Sequence, residues 1–248
     1  MTADPTADPL AQGLGAALRE FVREPLNLGL VLVLPPLFVH GYGRAMENFP
    51  SIPFMHGVPQ HLGVVNGAMA AAAFLPGIIG LFQVISARQA DGRLSLAGFG
   101  QDTLFAARFA TVGLVAAIAS AAAMATMLLE VTPDAPMQAY LALVTAGLLY
   151  GLLGMLVGAV LPRELEGSLV LVFITDMDAF LSSGIVEVES PVVNLFPLQY
   201  PHRLYERAVF DGSVAATDAV LALLYLLVLG LLAIVVYARL TENGGVGS

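Results

Sequence analysis

Two aspartates within an otherwise apolar stretch are the residues whose type and position point most directly to chemistry. Asp176 and Asp178 lie between about residues 167 and 186, in a run long enough to cross a membrane. A carboxylate at the centre of a bilayer costs about 2.5–3.5 kcal/mol, so it normally faces a protein interior or a water-filled cavity. One hypothesis is that these acids line the path of a substrate or a proton. The alternative is a structural role near the outer membrane face, in which they pair with neighbours or mark a break in the helix.

The spacing of the two acids predicts that they act separately. Residues i and i+2 of an α-helix point about 200° apart around its axis. The carboxylates of Asp176 and Asp178 are therefore not expected to form one paired site, and any chemistry would belong to one of them.

The polar stretch from Arg88 to Thr103 is a second candidate functional segment. It follows the second apolar stretch and is expected to be a loop on the cytoplasmic side of the membrane. A cytoplasmic loop with both signs of charge can dock a soluble partner. It can equally be a solvated loop that follows the tendency of inner loops to carry arginine. The residues that we single out in it are Arg88, Asp91, Gly92, Arg93 and Leu94.

Enzyme signatures are missing from the sequence. It contains no Gly-x-Ser-x-Gly and no His-Glu-x-x-His, and a P-loop is impossible because there is no lysine. Asp91-Gly92 begins like the signature of membrane phosphatidyltransferases, but Ser95 and Leu96 stand where that signature has Ala and Arg. We therefore expect a chain that is not an enzyme by itself and binds no cofactor of its own.

Metal binding is not predicted either. The absence of cysteine excludes thiolate ligands as well as disulfides. The four histidines lack the ligand spacing that zinc sites use, and they are His40, His56, His61 and His202.

The composition predicts a membrane-embedded fold that would position these residues. Of the 248 residues, 58% are hydrophobic and only 12% are charged, whereas soluble domains have about 25% charged residues. Lipid leaves the backbone N–H and C=O groups no partner but each other, so apolar stretches of about 20 residues are expected to be helices. The sequence predicts an all-α, polytopic membrane protein with six spans, at about 27–42, 62–87, 104–129, 137–161, 167–186 and 215–237.

The flanking segments complete a single transmembrane domain over residues 12–240. We expect a disordered tail at 1–11 and a flexible one at 241–248. Residues 12–25 place apolar side chains on one helical side, which predicts an amphipathic helix in the membrane interface. The residues that we single out in that helix are Arg19, Phe21 and Arg23.

The charged residues are unusual in kind. All ten basic residues are arginines, against nineteen Asp and Glu, and the net charge is −9. A lysine-free, acid-rich surface fits an organism with high internal salt, such as a haloarchaeon, because carboxylates hold water and salt screens their repulsion. Chance within a high-GC genome is the alternative. The acidic balance also makes nucleic acid an unexpected partner.

The arginines predict the orientation of the six spans. If the N-terminus is inside, three arginines lie outside, at Arg44, Arg203 and Arg207. Seven then lie inside, at Arg19, Arg23, Arg88, Arg93, Arg108, Arg163 and Arg239. The positive-inside rule therefore predicts a multi-pass protein of the cell membrane with both termini in the cytoplasm.

The fourth apolar stretch contains two Gly-x-x-x-Gly patterns. Gly147 pairs with Gly151 in the first, and Gly154 pairs with Gly158 in the second. Such patterns allow helices to approach closely. We expect close packing, either within the chain or between two copies of it.

The order of these features resembles the ABC-2 type permeases, the membrane subunits of a large group of ABC exporters. An amphipathic segment leads into a first span that is short and is expected to be broken by Pro35-Pro36. The stretch after the second span is similar to the family's coupling loop, with Gly92 and Leu94 in matching places, although Gln89 and Ser95 stand where the family often has Glu. The segment before the last span is similar to the family's Pro-x-x-Tyr segment, and its matching residues are Pro197, Tyr200, Pro201 and Arg203.

The resemblance implies an architecture and partners. The segment before the last span would form short helices that re-enter the outer leaflet. Two permease chains, identical or different, would pair around a central path, and each would dock an ATPase subunit that binds ATP and Mg²⁺. The docking contacts would come from Arg88, Asp91, Gly92, Arg93 and Leu94, with Arg19 and Arg23 as secondary contacts. Asp176 and Asp178 would lie along the outer part of the path.

A function of another class stays open from the residues alone. The chain would then be a stand-alone ion-coupled carrier or channel, with Asp176 and Asp178 as ion or proton ligands. The sequence shows no internal repeat, which disfavours the common inverted-repeat carriers. A membrane enzyme is the least favoured class, because the signatures are missing.

Overall fold

The part of the chain that the structure describes is built from α-helices. The computed structural model describes residues 25–48, 58–96, 101–161, 163–183 and 191–243, and no β-strand occurs in these ranges. The tail at 1–11 and the interfacial residues Arg19, Phe21 and Arg23 lie outside them. A 3-10 turn, Pro191–Leu195, precedes the sixth helix. The helices are α1 Pro25–Glu47, α2 Pro59–Leu96, α3 Gln101–Met127, α4 Pro136–Val160, α5 Glu164–Ser182, α6 Gln199–Phe210 and α7 Ala216–Asn243.

Helix α2 lies at the centre of the bundle and is the most buried of the four most apolar helices. Helix α2 runs antiparallel to α1 and α5 and parallel to α4, and α3 runs antiparallel to α4. The neighbours that fix these directions are Gly63 with Tyr42, Gly67 with Phe38, Gly77 with Leu171, Gly167 with Leu81, Gly154 with Gly77, Gly158 with Leu81, Gly147 with Ala116 and Gly151 with Val112.

The glycines of α4 pack the centre of the bundle, as the sequence predicts. A Cβ added to Gly154 would overlap the carbonyl oxygen of Gly77 in α2, and one added to Gly158 would lie 2.7 Å from the carbonyl oxygen of Leu81. Only glycine allows two backbones to approach this closely. The predicted close packing is confirmed within the chain, where α2 and α4 meet backbone to backbone.

Four of the helices are long and apolar enough to cross a membrane. They are Pro59–Ser86 within α2, Phe105–Met127 within α3, Pro136–Val160 and Ala216–Arg239 within α7. The outer face of α7 exposes a row of large apolar side chains, which a protein in water rarely does and which a bilayer would cover. The length and composition of the described helices are therefore those of a helical membrane protein.

Helix α1 differs from the predicted first span. The sequence predicts a span broken at Pro35-Pro36, but the helix continues through both prolines from Pro25 to Glu47. Prolines are tolerated in membrane helices because neighbouring helices and local adjustments satisfy the carbonyls that they leave without a donor.

Helix α2 continues past the predicted end of the second span. The stretch expected to be a loop from residue 88 is helical as far as Leu96, and α3 begins at Gln101. The extension contains no proline, and Gly92 alone costs a helix only about 1 kcal/mol relative to alanine. The backbone of the predicted docking residues therefore lies on the last turns of a helix.

The remaining helices lie close to the apolar stretches, with differences at their ends. Helix α5 begins at Glu164, and the end predicted for this stretch, at 186, lies outside the described residues. Helix α7 continues to Asn243, into the segment predicted to be a flexible tail. Both extensions carry polar residues, so they lengthen the helix without lengthening its apolar part.

The connections near α6 gather at one end of the bundle, which we call the α6 end. The turn between α3 and α4 bonds to the end of α6, where the N–H groups of Asp134 and Ala135 donate to the carbonyls of Val209 and Ala208 at 3.0 and 2.8 Å. At the opposite end the ring of Phe105 in α3 contacts that of Tyr237 in α7. The last turns of α2 lie at this opposite end.

Candidate functional site

The two aspartates of α5 face opposite sides of the helix, as their spacing predicts. Asp176 is exposed on the surface of the bundle. Asp178 is fully buried between α4, α5 and the turn before α6. The two carboxylates therefore have separate environments and can have separate roles.

Asp178 is held by three hydrogen-bond donors from three elements. The hydroxyl of Tyr150 in α4 donates to Oδ2 at 2.6 Å, and the hydroxyl of Ser182 in α5 donates to Oδ1 at 2.9 Å. The backbone N–H of Leu198, immediately before α6, donates to Oδ2 at 3.0 Å. A buried carboxylate needs such partners to offset its lost hydration. The geometry matches the structural alternative for Asp178, which does not line an open path here.

Asp176 lies in a groove between α1 and α5 whose floor is α2. The groove has a volume of about 580 Å³, within the range of about 300–1,000 Å³ that small-molecule sites occupy. Most of its lining is apolar and includes Phe173 and Phe180 of α5. Its polar groups come from Tyr42 of α1, Asn66 of α2, Asp176 and Ser183. An apolar cleft with a few convergent polar groups is the usual form of a ligand site.

The charge that the described residues give the groove is negative. Asp176 is the only charged residue among the described residues that line it, and within that part of the chain its carboxylate forms no hydrogen bond or ion pair. Arg44 lies on another side of α1 and lines a different cavity. The groove therefore has a local negative charge that no nearby described side chain neutralises.

Helix α6 reaches the floor of the groove through a buried contact. The Nε2–H group of His202 donates to Oδ1 of Asn66 at 2.6 Å, since an amide oxygen can only accept. The Nδ1 atom of His202 is buried and has no partner among the described residues, and burial lowers the pKa of this imidazole to about 4. A neutral histidine thus links α6 to Asn66, whose side chain also lines the groove.

The residues of the predicted outer segment lie at the start of α6. Pro197 is in the turn before the helix, and Tyr200, Pro201 and Arg203 are in its first turns. Pro201 is buried and Arg203 is exposed, whereas the ring of Tyr200 packs against that of Tyr225 in α7 with centroids 6.1 Å apart. A short helix in this stretch agrees with what the resemblance implies, and its depth in a membrane stays a prediction.

A second cavity, of about 890 Å³, lies between α1 and the turn after α3. Glu130 of that turn bridges two other lining residues, because it contacts His40 Nδ1 at 2.6 Å and accepts from Gln60 Nε2 at 3.4 Å. Arg44 also lines this cavity. The described residues contain no cluster of three His, Asp or Glu side chains that could hold a metal ion, here or elsewhere.

The predicted docking residues lie far from the groove. Their backbone is on the last turns of α2, at the end of the bundle opposite α6, and they are Arg88, Asp91, Gly92, Arg93 and Leu94. The secondary contacts Arg19 and Arg23 are outside the described residues. The groove and the predicted docking stretch are therefore joined by the length of α2.

Three residues of the site are not singled out by sequence reasoning. Tyr42, Asn66 and Tyr150 each lie in an apolar stretch, where a side chain that can hydrogen-bond is uncommon. That signal could have marked Asn66 and Tyr150. Their partners His202 and Asp178 come from distant parts of the chain, so the pairs themselves needed the fold.

Comparisons with protein-family models and with curated proteins give no match for this chain. The resemblance to the ABC-2 type permeases therefore rests on the order and character of the sequence features, and its functional implications are proposals.

Proposed function

We propose that this chain is the membrane permease subunit of an ABC transporter that moves a small amphipathic substrate, in the export direction, with ATP hydrolysed by a separate subunit. In this proposal the chain itself would not hydrolyse ATP, since its sequence contains no P-loop and no lysine. ATP and Mg²⁺ would bind to the partner ATPase. The observation that carries the proposal is a carboxylate, Asp176, that has no partner among the described residues and lies in a mostly apolar groove of a membrane protein.

The cost of placing Asp176 in lipid supports a transport path. A carboxylate facing hydrocarbon is expensive and normally faces a protein or a wet cavity. Asp178 avoids that cost with three hydrogen bonds, whereas Asp176 has no partner among the described residues. A groove that is hydrated or that holds a ligand during transport gives Asp176 the environment that a carboxylate requires.

Six spans are part of the proposal. Helices α1 and α5 have 23 and 19 residues. At about 1.5 Å per residue, α1 exceeds the hydrocarbon thickness of about 30 Å and α5 nearly reaches it. Both pack antiparallel to α2, so a bilayer that encloses the four most apolar helices would enclose them too. The α6 end would then face outward, with α6 at the outer leaflet and both termini in the cytoplasm of the cell.

Pairing of two permease chains is also part of the proposal. Helix α5 exposes a row of large apolar side chains around Asp176, including Phe173, which is 67% exposed. A second copy, or a related permease, would cover this face and enclose the acid between two proteins. The groove would then become one wall of a central path.

The structure lends little support to the stand-alone carrier. That function used Asp176 and Asp178 together as ion ligands. The carboxylate of Asp178 already accepts three hydrogen bonds and is fully buried, so only Asp176 would be free to bind an ion. One carboxylate without further oxygen ligands is a poor cation site.

Association with an ATPase is the direct test of the proposal. The chain would be co-expressed with a soluble ABC-type P-loop protein from the same genome, sought first among the neighbouring genes, and purified through a tag on that protein. We expect recovery of the wild-type chain and loss of most of it in the double variant Arg88→Glu, Arg93→Glu, because reversing both charges replaces attraction by repulsion at the docking stretch.

The control is Arg44→Glu, which reverses the charge of one arginine on α1 at the α6 end. It should leave association unchanged. Equal recovery of all three proteins would refute docking through the last turns of α2, and failure to recover even the wild type would refute the proposed function.

A further inference from the structure

The charge of the groove between α1 and α5 indicates which charge its ligand would have. Its single charge is negative, and no basic side chain lines it within the described part of the chain. An anionic ligand would meet uncompensated repulsion from Asp176 there. A neutral ligand would leave this carboxylate desolvated and unpaired, which costs free energy. A cation both neutralises the charge and replaces the lost hydration.

Aromatic rings in the groove favour a particular kind of cation. Tyr42 on one wall and Phe173 and Phe180 on the other all line it with Asp176. The face of an aromatic ring attracts a cation by about 0.5–2 kcal/mol, more when water is excluded. Weakly hydrated organic cations gain most from such rings, because a small metal ion would first have to lose tightly held water.

The remaining lining requires an apolar body on that cation. Apart from Tyr42, Asn66, Asp176 and Ser183, the residues that line the groove have apolar side chains or none. A volume of about 580 Å³ would hold a drug-sized molecule. Asn66 is already engaged with His202 through its Oδ1 atom, so its amide offers the ligand donors at most, and Asp176 remains the one strong acceptor.

We propose that this groove binds an apolar organic cation, with the carboxylate of Asp176 as its counter-charge and the rings of Tyr42, Phe173 and Phe180 around its body. The inference rests on the proposed function in one respect, because it takes the groove to be part of the transport path. It goes further by assigning the class of substrate.

Two probes of the same shape and opposite charge test the assignment. Tetraphenylphosphonium and tetraphenylborate would be measured by equilibrium dialysis against the full chain in lipid nanodiscs, with empty nanodiscs as background. We expect the phosphonium ion to bind at least about tenfold more tightly than the borate, a difference of about 1.4 kcal/mol. Equal binding of the two ions would overturn the assignment.

Variants at matched positions locate the effect. Asp176→Asn should lower phosphonium affinity about tenfold, whereas Glu164→Gln, which removes an exposed acid of the same helix outside the groove, should not change it. Both residues are exposed and Asp176 has no partner among the described residues, so neither variant should unfold below the wild-type temperature. Equal phosphonium affinity in Asp176→Asn and wild type would overturn the proposal. A groove filled by a second copy of the chain would also overturn it, because no phosphonium binding would then depend on Asp176.

This experiment needs no ATPase, so its failure is separate from failure of the proposed function. Charge-selective, Asp176-dependent binding by a chain that associates with no ATPase would uphold the cation site and refute the permease assignment. Association with an ATPase without such binding would uphold the permease and refute the substrate class.

Discussion

The hydroxyl of Tyr150 lies 2.6 Å from Oδ2 of Asp178, and this contact joins the middle of α4 to α5. The same Oδ2 atom accepts the backbone N–H of Leu198. One buried carboxylate therefore fixes the start of α6 against α4 and α5, while the neighbouring acid of α5 faces the groove.

Removal of the Tyr150 hydroxyl tests this anchor. Hydrogen bonds to charged groups contribute about 1.5–3 kcal/mol, against about 0.5–1.5 kcal/mol for neutral ones. We expect Tyr150→Phe to destabilise the protein clearly more than Tyr140→Phe, because the Tyr140 hydroxyl donates only to the neutral carbonyl of Ala117 at 3.2 Å. Thermal unfolding of both variants in the same detergent measures the difference. Equal losses would show that Asp178 is not the charged acceptor that holds α4 and α5.

The buried His202 predicts an acid-sensitive fold. Burial lowers its pKa from 6.5 to about 4, so between these two pH values the unfolded chain binds a proton that the folded chain excludes. Stability is therefore full above about pH 6.5 and falls as the pH drops to about 4, by up to about 3 kcal/mol for this group. Thermal unfolding from pH 8 to pH 4.5 measures the slope.

The comparison for that slope is His202→Gln, which has no titrating ring at this position. Its unfolding temperature should depend less on pH than that of the wild type. Parallel curves for the two proteins would mean that the acid sensitivity comes from the carboxylates and not from His202.

The contact between Gly154 and Gly77 predicts a large effect of one methyl group. A Cβ at residue 154 would overlap the carbonyl of Gly77, whereas one at Gly113 would lie 3.7 Å from Leu148 Cδ2, an ordinary contact. We expect Gly154→Ala to lower stability by several kcal/mol or to abolish folded protein, since overpacking costs about 1–3 kcal/mol even when side chains can move. Gly113→Ala should be neutral or stabilising by about 0.5–1 kcal/mol. Yield and unfolding temperature measure both, and similar behaviour would contradict the backbone contact.

The absence of cysteine allows a direct test of the proposed topology. Asp211→Cys and Asp134→Cys place thiols at the α6 end, and Arg93→Cys places one at the other end of the bundle. A membrane-impermeant maleimide should label the first two in intact cells and the third only after permeabilisation. Labelling of all three from the same side would contradict the six-span arrangement, and a chain without any introduced cysteine provides the background.

Much of the helical layout could be predicted because lipid leaves so few solutions. Apolar stretches of this length must be helices, and helical geometry alone places Asp176 and Asp178 on opposite sides. Close packing of the α4 glycines was also predictable, because four of them recur at spacings of three and four residues and so lie along one face of the helix.

The helix ends were predicted less well, because the local preferences of single residues compete there with packing against neighbouring helices. Pro35 and Pro36 break helices in water, yet α1 continues through them. Hydropathy marks where α2 stops being apolar, near residue 87, but says nothing about where its backbone stops being helical, at Leu96.

The pairs that build the site could not be predicted at all. Tyr150 with Asp178, and Asn66 with His202, are separated by 28 and 136 residues in the sequence. Which of the two aspartates would be buried depends on which face of α5 packs against α2 and α4. That choice is made by the whole bundle, and a single sequence does not display it.

The backbone contact between α2 and α4 limits how this protein can move. Where two helices meet backbone to backbone, as at Gly77 with Gly154 and Leu81 with Gly158, sliding or tilting would bring their backbones into steric overlap, so we expect α2 and α4 to move as one body.

Helix α1 contacts α2 in the same way, because a Cβ added to Gly63 or Gly67 would overlap the carbonyl oxygen of Tyr42 or Phe38. Helix α5 contacts α2 through the side chains of Leu171 and Leu81, so α5 is the wall of the groove that is left to hinge. A displacement of the last turns of α2 would then also move the part of α2 that forms the floor of the groove.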